Sequence, residues 1–190
     1  LYIRQILQRE RHLPKIDLIA IIAHVLSVPT AQVFAEPEGT LDERAQQRLA
    51  ALVAARQEGR PLAYLTNRRE FFSESFYVDE RVLIPRPETE LLVEEALGVI
   101  RARSTPVHAL DVGTGSGIIG ILLAKGGADQ VVCSDVSPGA LAVAQRNARE
   151  IGVDERVRFM ASDLFSALKE GTRFDLICAN LPYVAADEWD

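Results

Sequence analysis

Apolar and polar positions change their spacing twice along this chain. In "KIDLIAIIAHVL" the residues Leu18, Ile19, Ile22, Val25 and Leu26 recur at helical intervals, and "LDERAQQRLAALVAARQEG" repeats the pattern with Leu41, Ala45, Leu49, Leu52 and Val53 until Gly59 stops it. The spacing predicts two or three short helices joined by a Pro-containing loop, "SVPTAQVFAEPEG", and so a small all-α module. Residues 70–84, "EFFSESFYVDERVLI", turn aromatic and β-branched, with a polar break at Ser73-Glu74-Ser75 that suits a hairpin. In "PRPETE" Pro87 takes the place of a first-turn proline, and Glu88 and Glu90 favour the positive end of the helix that follows.

From Val107 onward strands and helices alternate. "VHALDVG", "QVVCSD", "RVRFMASD" and "FDLICAN" read as strands; "SGIIGILLAKG", "SPGALAVAQRNAREIG" and "LFSALKEG" read as helices, the second capped by Ser137, opened by Pro138 and stopped by Gly152. Strand-helix-strand repetition implies parallel strands with right-handed crossovers, hence an α/β, doubly wound, mostly parallel sheet. The expected division is a helical domain over 1–66, a β-hairpin connector over 67–90 and an α/β domain over 91–190. Ligands in such sheets sit at the carboxyl ends of the strands. The residues to watch there are Asp111, Asp135, Asp163 and Asn180.

Composition narrows the classes. Nearly half of the 190 residues are apolar, enough for a sizeable core, and no apolar run approaches the roughly 18 residues of a membrane span. The opening "LYIRQILQRERHLPK" lacks the order of a signal peptide, which makes the cytoplasm the expected location. Net charge is −6, with 12 basic and 13 acidic side chains in residues 1–90 against 9 and 14 in residues 91–190. The acidic half carries the strand-end residues, which argues against a nucleic-acid partner. Cys133 and Cys178 lie inside strand-like runs and read as inert core thiols; His12, His24 and His108 are scattered, so no metal site is expected.

The first of the parallel strands runs into "DVGTGSG". Gly113, Gly115 and Gly117 permit a tight turn and close ligand approach, with free N–H groups on the helix behind. Ile118 breaks the dinucleotide fingerprint, leaving G-x-G-x-G, and no Gly-Lys-Ser/Thr follows for a P-loop. Asp135 is placed to accept hydrogen bonds from ribose hydroxyls, Asp163 to hold an adenine amino group and Leu164 to cover its ring. Each acid alone is an ordinary loop residue. Three of them on successive strands beside a glycine turn describe a nucleoside site.

"DVGTGSG", Asp135, "SDLF" and the Asn-Leu-Pro-Tyr that follows the fourth strand resemble, in order and spacing, the class I S-adenosylmethionine-dependent methyltransferases that act on amino groups. "PLAYLTNRREFFSESFYV" and "LIPRPETELLVEEAL" are similar to the protein-(glutamine-N5) methyltransferase family, enzymes that modify the glutamine of the Gly-Gly-Gln loop in peptide chain release factors. The resemblance covers nearly all of the chain. It implies S-adenosyl-L-methionine as cofactor, held by Asp111, Gly113, Thr114, Gly115, Ser116, Gly117, Asp135, Asp163, Leu164 and Asn180. The release factor is the implied protein substrate, the enzyme is expected to be a monomer, and the helical domain is expected to recognise the substrate.

Asn180, Leu181, Pro182 and Tyr183 are then the catalytic set. A carboxamide nitrogen is a poor nucleophile and no protein base can match its pKa, so the workable route is to hold both N–H bonds and aim the lone pair. The Asn180 side-chain carbonyl accepts one hydrogen bond and the Leu181 backbone carbonyl the other. Pro182 restricts Leu181 to extended conformations, and Tyr183 offers a flat face to the planar substrate group. The chain departs from the family pattern at Leu181, where a second proline is usual, and at Asn67, where glycine is usual; asparagine tolerates positive φ next best. Alternatives are glutamine methylation of ribosomal protein L3, adenine N6-methylation of DNA or rRNA, and a binding module without turnover. The absent initiator Met and the stop soon after the fourth strand suggest a segment of a longer protein.

Overall fold

A computed structural model describes residues 1–181, in two compact units, residues 1–67 and 68 onward. Pro182 and Tyr183 lie outside the described residues.

The first unit holds five helices: α1 (Ile3–Arg9), α2 (Lys15–Leu26), α3 (Thr30–Ala35), α4 (Glu43–Gln57) and α5 (Leu62–Thr66). The two strongly periodic segments are α2 and α4, the latter capped by the Asp42 carboxylate, which accepts from the Ala45 N–H at 2.7 Å. Where two or three helices joined by a loop are expected, the loop itself contains α3. The short helices bury one or two apolar residues each, Ile3 and Ile6, Val33, and Leu65, too few to register as a period. Their side chains, apart from Leu65, join Leu18, Ile19, Ile21, Ile22 and Leu49 in one core. Asp17 on α2 and Arg56 on α4 form an ion pair at 2.8 Å.

The second unit opens with a hairpin, β1 (Arg68–Phe71) and β2 (Glu74–Tyr77). The polar break expected at Ser73-Glu74-Ser75 is displaced: Phe72 and Ser73 form the two-residue turn, both at positive φ (52° and 62°), while Glu74 and Ser75 pair with Phe71 and Glu70. A two-residue hairpin turn takes this mirror-image geometry because it matches the twist of the strands. Phe71 and Phe76 meet edge to face at 6.5 Å and enter the core of the α/β layer.

Next come α6 (Thr89–Ala102), β3 (His108–Val112), α7 (Ile118–Lys125), β4 (Gln130–Asp135), α8 (Pro138–Ile151), β5 (Val157–Ala161) and β6 (Leu176–Ala179). Among the described residues the sheet has the order β5-β4-β3-β6, and its strands are parallel. Order runs outward from β3 to β5 and then returns to the other side of β3, the reversal of a doubly wound sheet. One register row, Asp111, Cys133, Phe159 and Cys178, faces the core shared with α6 and α7. The caps of α8 stand as read: the Ser137 hydroxyl accepts from the Ala140 N–H, Pro138 opens the helix, and Gly152 ends it in the left-handed conformation.

The helix expected over 164–171 does not form, and the segment is a series of turns. Leu164 sits at φ 47°, and the Ser162 hydroxyl donates to the Leu164 carbonyl while accepting from the Ala167 N–H. A local side-chain bridge thus takes backbone groups that a first helical turn needs, and so short a segment cannot offset the cost of nucleation. No helix among the described residues is long and apolar enough to cross a membrane.

Candidate active site at the carboxyl ends of the strands

The four watched residues take unequal positions. Asp135 is the last residue of β4, Asn180 follows β6 directly, Asp163 lies two residues beyond β5, and Asp111 is the next-to-last residue of β3. Asp111 is fully buried. Its Oδ2 accepts from the Thr114 hydroxyl at 2.6 Å and from the Gly120 N–H at 2.9 Å, so the carboxylate lies beneath the glycine turn and ties it to the start of α7. Its Oδ1 is buried without a hydrogen-bond partner. Burial, with a smaller push from the Asp135 charge, raises its pKa from 3.8 to about 6 against the two hydrogen bonds that lower it.

Above it the turn is built as the sequence predicts. Gly113, Gly115 and Gly117 have φ of 68°, 55° and 86°. At Gly113 a side chain is excluded twice over, by conformation and because its Cβ would come within 2.5 Å of the Leu181 Cδ2. Thr114 and Ser116 are buried, and the Thr114 N–H donates to the Ser134 carbonyl. Above Gly115, by contrast, there is open space: nothing lies within 4 Å of where a Cβ would stand. The Asp135 carboxylate accepts from the Gly115 N–H and the Ser137 N–H, both at 2.9 Å, and the Ser162 N–H donates to the Asp135 backbone carbonyl. Asp163 and Leu164 follow on that loop, exposed, Leu164 by 48%.

On the other side Asn180 donates from Nδ2 to the Thr89 hydroxyl at 2.8 Å, and the Leu181 side chain lies over Gly113. The structure therefore joins the ends of β6, β3, β4 and β5 through successive contacts: Leu181 on Gly113, Gly115 on Asp135, Asp135 on Ser162. Cys133 and Cys178 are buried free thiols; burial first, and then the charge of Asp111, raises Cys178 to about 11 and Cys133 well above the ordinary thiol range. Among the described residues no group of His, Cys, Asp and Glu is arranged to hold a metal.

Sequence reasoning missed three contributors. Thr89, the first residue of α6, holds Asn180; it stands within "PRPETE" but gave no sign of its partner. Asn147 on α8 is 1% exposed and binds both backbone groups of Tyr77, at 2.7 and 3.0 Å, and the Ser116 carbonyl at 2.8 Å, so the hairpin and the glycine turn share one clamp. A polar residue on the buried stripe of Ala140, Val143, Ala144 and Ala148 is the signal that could have found it. Gly120 admits Asp111 and Cys133: a Cβ there would fall 2.2 Å from the Cys133 Sγ.

Residues 2–66 match the model of the PrmC N-terminal domain, and residues 88–190 that of the Methyltransferase small domain. Among curated proteins, the Release factor glutamine methyltransferase of Burkholderia pseudomallei is 42% identical over 184 residues, covering 94% of this chain and 64% of that protein. Those of Chlorobaculum tepidum and Escherichia coli are 40% and 39% identical, each match covering 93% of this chain and 63% and 62% of the relative. The chain thus spans about three fifths of the length of the curated relatives it matches. A solved structure, the SAM Dependent Methyltransferase from Agrobacterium tumefaciens, has TM-score 0.52 and 19% identity over 59% of this chain and 38% of its own, a likeness of fold alone. Since the Methyltransferase small domain takes in more than half of the sequence, from the start of α6 through the glycine turn and Asn180, the chain belongs to that family.

Proposed function

We propose that the protein transfers a methyl group from S-adenosyl-L-methionine to the side-chain nitrogen of the glutamine in the Gly-Gly-Gln loop of class I peptide chain release factors. The observation that carries this reading is the carboxamide of Asn180, anchored by Thr89 at the carboxyl end of β6, on the strand beside the glycine turn. The curated relatives named for release factor glutamine methylation support the substrate.

The residues present fit a nucleoside-bearing cofactor. Open space over Gly115, an acid ending β4 and an exposed Leu164 beside Asp163 leave room and polar partners where a ribose and an adenine would be held. The bare, buried Oδ1 of Asp111 marks a carboxylate without a partner beneath that turn. When bound, the cofactor supplies an electrophilic methyl on a sulfonium. What the chain supplies is orientation. Asn180 Oδ1 and the Leu181 carbonyl each accept one N–H of the substrate amide, turning its nitrogen lone pair out of conjugation and toward the reacting methyl. Pro182 and Tyr183 complete the clamp by restricting Leu181 and by stacking on the amide. Residues 1–66 serve substrate recognition, and the enzyme works as a cytoplasmic monomer.

The test is incubation of the protein with release factor and labelled cofactor, followed by peptide mapping by mass spectrometry. Label is expected on the Gly-Gly-Gln glutamine; label on adenine, on ribosomal protein L3 or nowhere would sink the reading. Asn180→Ala is expected to lower turnover by on the order of a hundredfold or more.

A further inference from the structure

The geometry points to Asn147 as a positioning residue for the cofactor turn, one that makes the shape of the turn depend on the β1–β2 hairpin. The inference rests on the methyl-transfer reading above, which takes the glycine turn as the place where S-adenosyl-L-methionine binds.

Asn147 spends both protons of its carboxamide: Nδ2 donates to the Ser116 carbonyl and to the Tyr77 carbonyl, while Oδ1 accepts from the Tyr77 N–H. A backbone N–H can only donate and a carbonyl can only accept, so a single orientation of this amide satisfies all three partners. Tyr77, the last residue of β2, thereby dictates which end of the side chain meets the glycine turn. What Asn147 holds there is the peptide plane between Ser116 and Gly117. The carbonyl of that plane goes to Asn147, and its N–H donates to the Thr114 carbonyl at 2.8 Å. Without Asn147 the plane is held at one end only, and Gly117, at φ 86° and lacking a Cβ, offers little resistance to its turning. Gly117 also rests on Ala144, three residues before Asn147 on the same face of α8: a Cβ on Gly117 would fall 2.9 Å from that of Ala144. On the other flank the Gly115 N–H is held by Asp135. The open face over Gly115 is thus framed by two side chains, and one of them takes its orientation from the hairpin. Tyr77 is itself fixed through its side chain, with the Arg146 guanidinium 3.5 Å from the ring centre and the hydroxyl donating to Asp79 at 3.0 Å.

Asn147→Ala is expected to weaken binding of S-adenosyl-L-methionine roughly tenfold, the scale of one net hydrogen bond, in calorimetric titration at a temperature where the variant is fully folded. Linkage is reciprocal, so in the wild-type chain saturating cofactor is expected to slow hydrogen exchange of the Tyr77 amide by a similar factor, read by 15N NMR as the change beyond any shared by the β4 amides. In Asn147→Ala that response is lost. An asparagine that merely stabilised the fold would leave the Tyr77 amide indifferent to the cofactor. Equal affinity in wild type and folded Asn147→Ala overturns the inference. If the variant does not fold, the wild-type measurement decides: a Tyr77 rate unchanged by bound cofactor overturns the inference by itself. A wild type that binds no S-adenosyl-L-methionine overturns the functional reading, and the positioning role with it.

Discussion

Asp111 shows what the site costs the fold. The neutral acid is favoured in the native state because burial penalises the carboxylate, so its pKa stands near 6 in place of 3.8. Between those values the folded chain binds more protons than the unfolded one, and stability rises as pH falls across the window. The full difference is about 3 kcal/mol, with the ionised form's penalty complete above pH ~6. Asp111→Asn is expected to remove this slope, as read from urea midpoints between about pH 4 and 7. Asp79, held at about 2 chiefly by its hydrogen bond from Arg81, titrates below that range and does not obscure it. Curves for wild type and variant that run parallel would refute the account. From sequence, Asp135 and Asp111 looked alike, acids ending strands. One ends β4 and the other is sealed beneath a turn. The apolar run around Asp111 is buried on both faces of a parallel sheet, and such a run carries no alternation from which to tell inside from out.

Among elements, the hairpin turn is the least comfortable. Phe72 and Ser73 both adopt left-handed backbone, where a Cβ is crowded, yet Phe72 cannot be spared: its ring packs against the α/β core, and its N–H donates to Glu90 at 3.2 Å. Ser73 is exposed and has no such duty. Ser73→Gly is expected to raise stability by about 0.5–1 kcal/mol in chemical denaturation, since glycine takes positive φ without the Cβ penalty. A loss of stability would mean that the turn is held by contacts rather than endured. Features decided within a few residues were legible beforehand: the Ser137 cap, the Pro138 opening and the Gly152 stop of α8 all stand. So does the positive φ of Asn67, at 52°. The missing helix over 164–171 was not legible, because its apolar spacing is helical and only the Ser162 hydroxyl, reaching both Leu164 and Ala167, diverts it.

At the scale of the whole molecule, the two units have separate apolar cores, one centred on Ile19, Ile21 and Ile22, the other on Val93, Ile121 and Leu123. Ile22→Ala and Ile121→Ala each empty a site with no solvent exposure and are expected to cost about 2–5 kcal/mol. Calorimetry is expected to show two transitions, each variant lowering only that of its own unit; one transition shifted alike by both would contradict separate cores. The alternation of elements was enough to anticipate a doubly wound sheet. Pairs such as Asn180 with Thr89, or Asn147 with Tyr77, depend on distant segments meeting, and no local pattern encodes them. The strand order has a consequence in time. Helices of the first unit and the hairpin close over short loops, while β3, at the centre of the sheet, gains its β6 neighbour only after Leu176–Ala179 has been synthesised. The Thr89–Asn180 bond spans 91 positions and must wait for that pairing. A growing chain can therefore fold its helical unit while β3 still lacks its β6 neighbour, and the bond that anchors Asn180 is among the last to form.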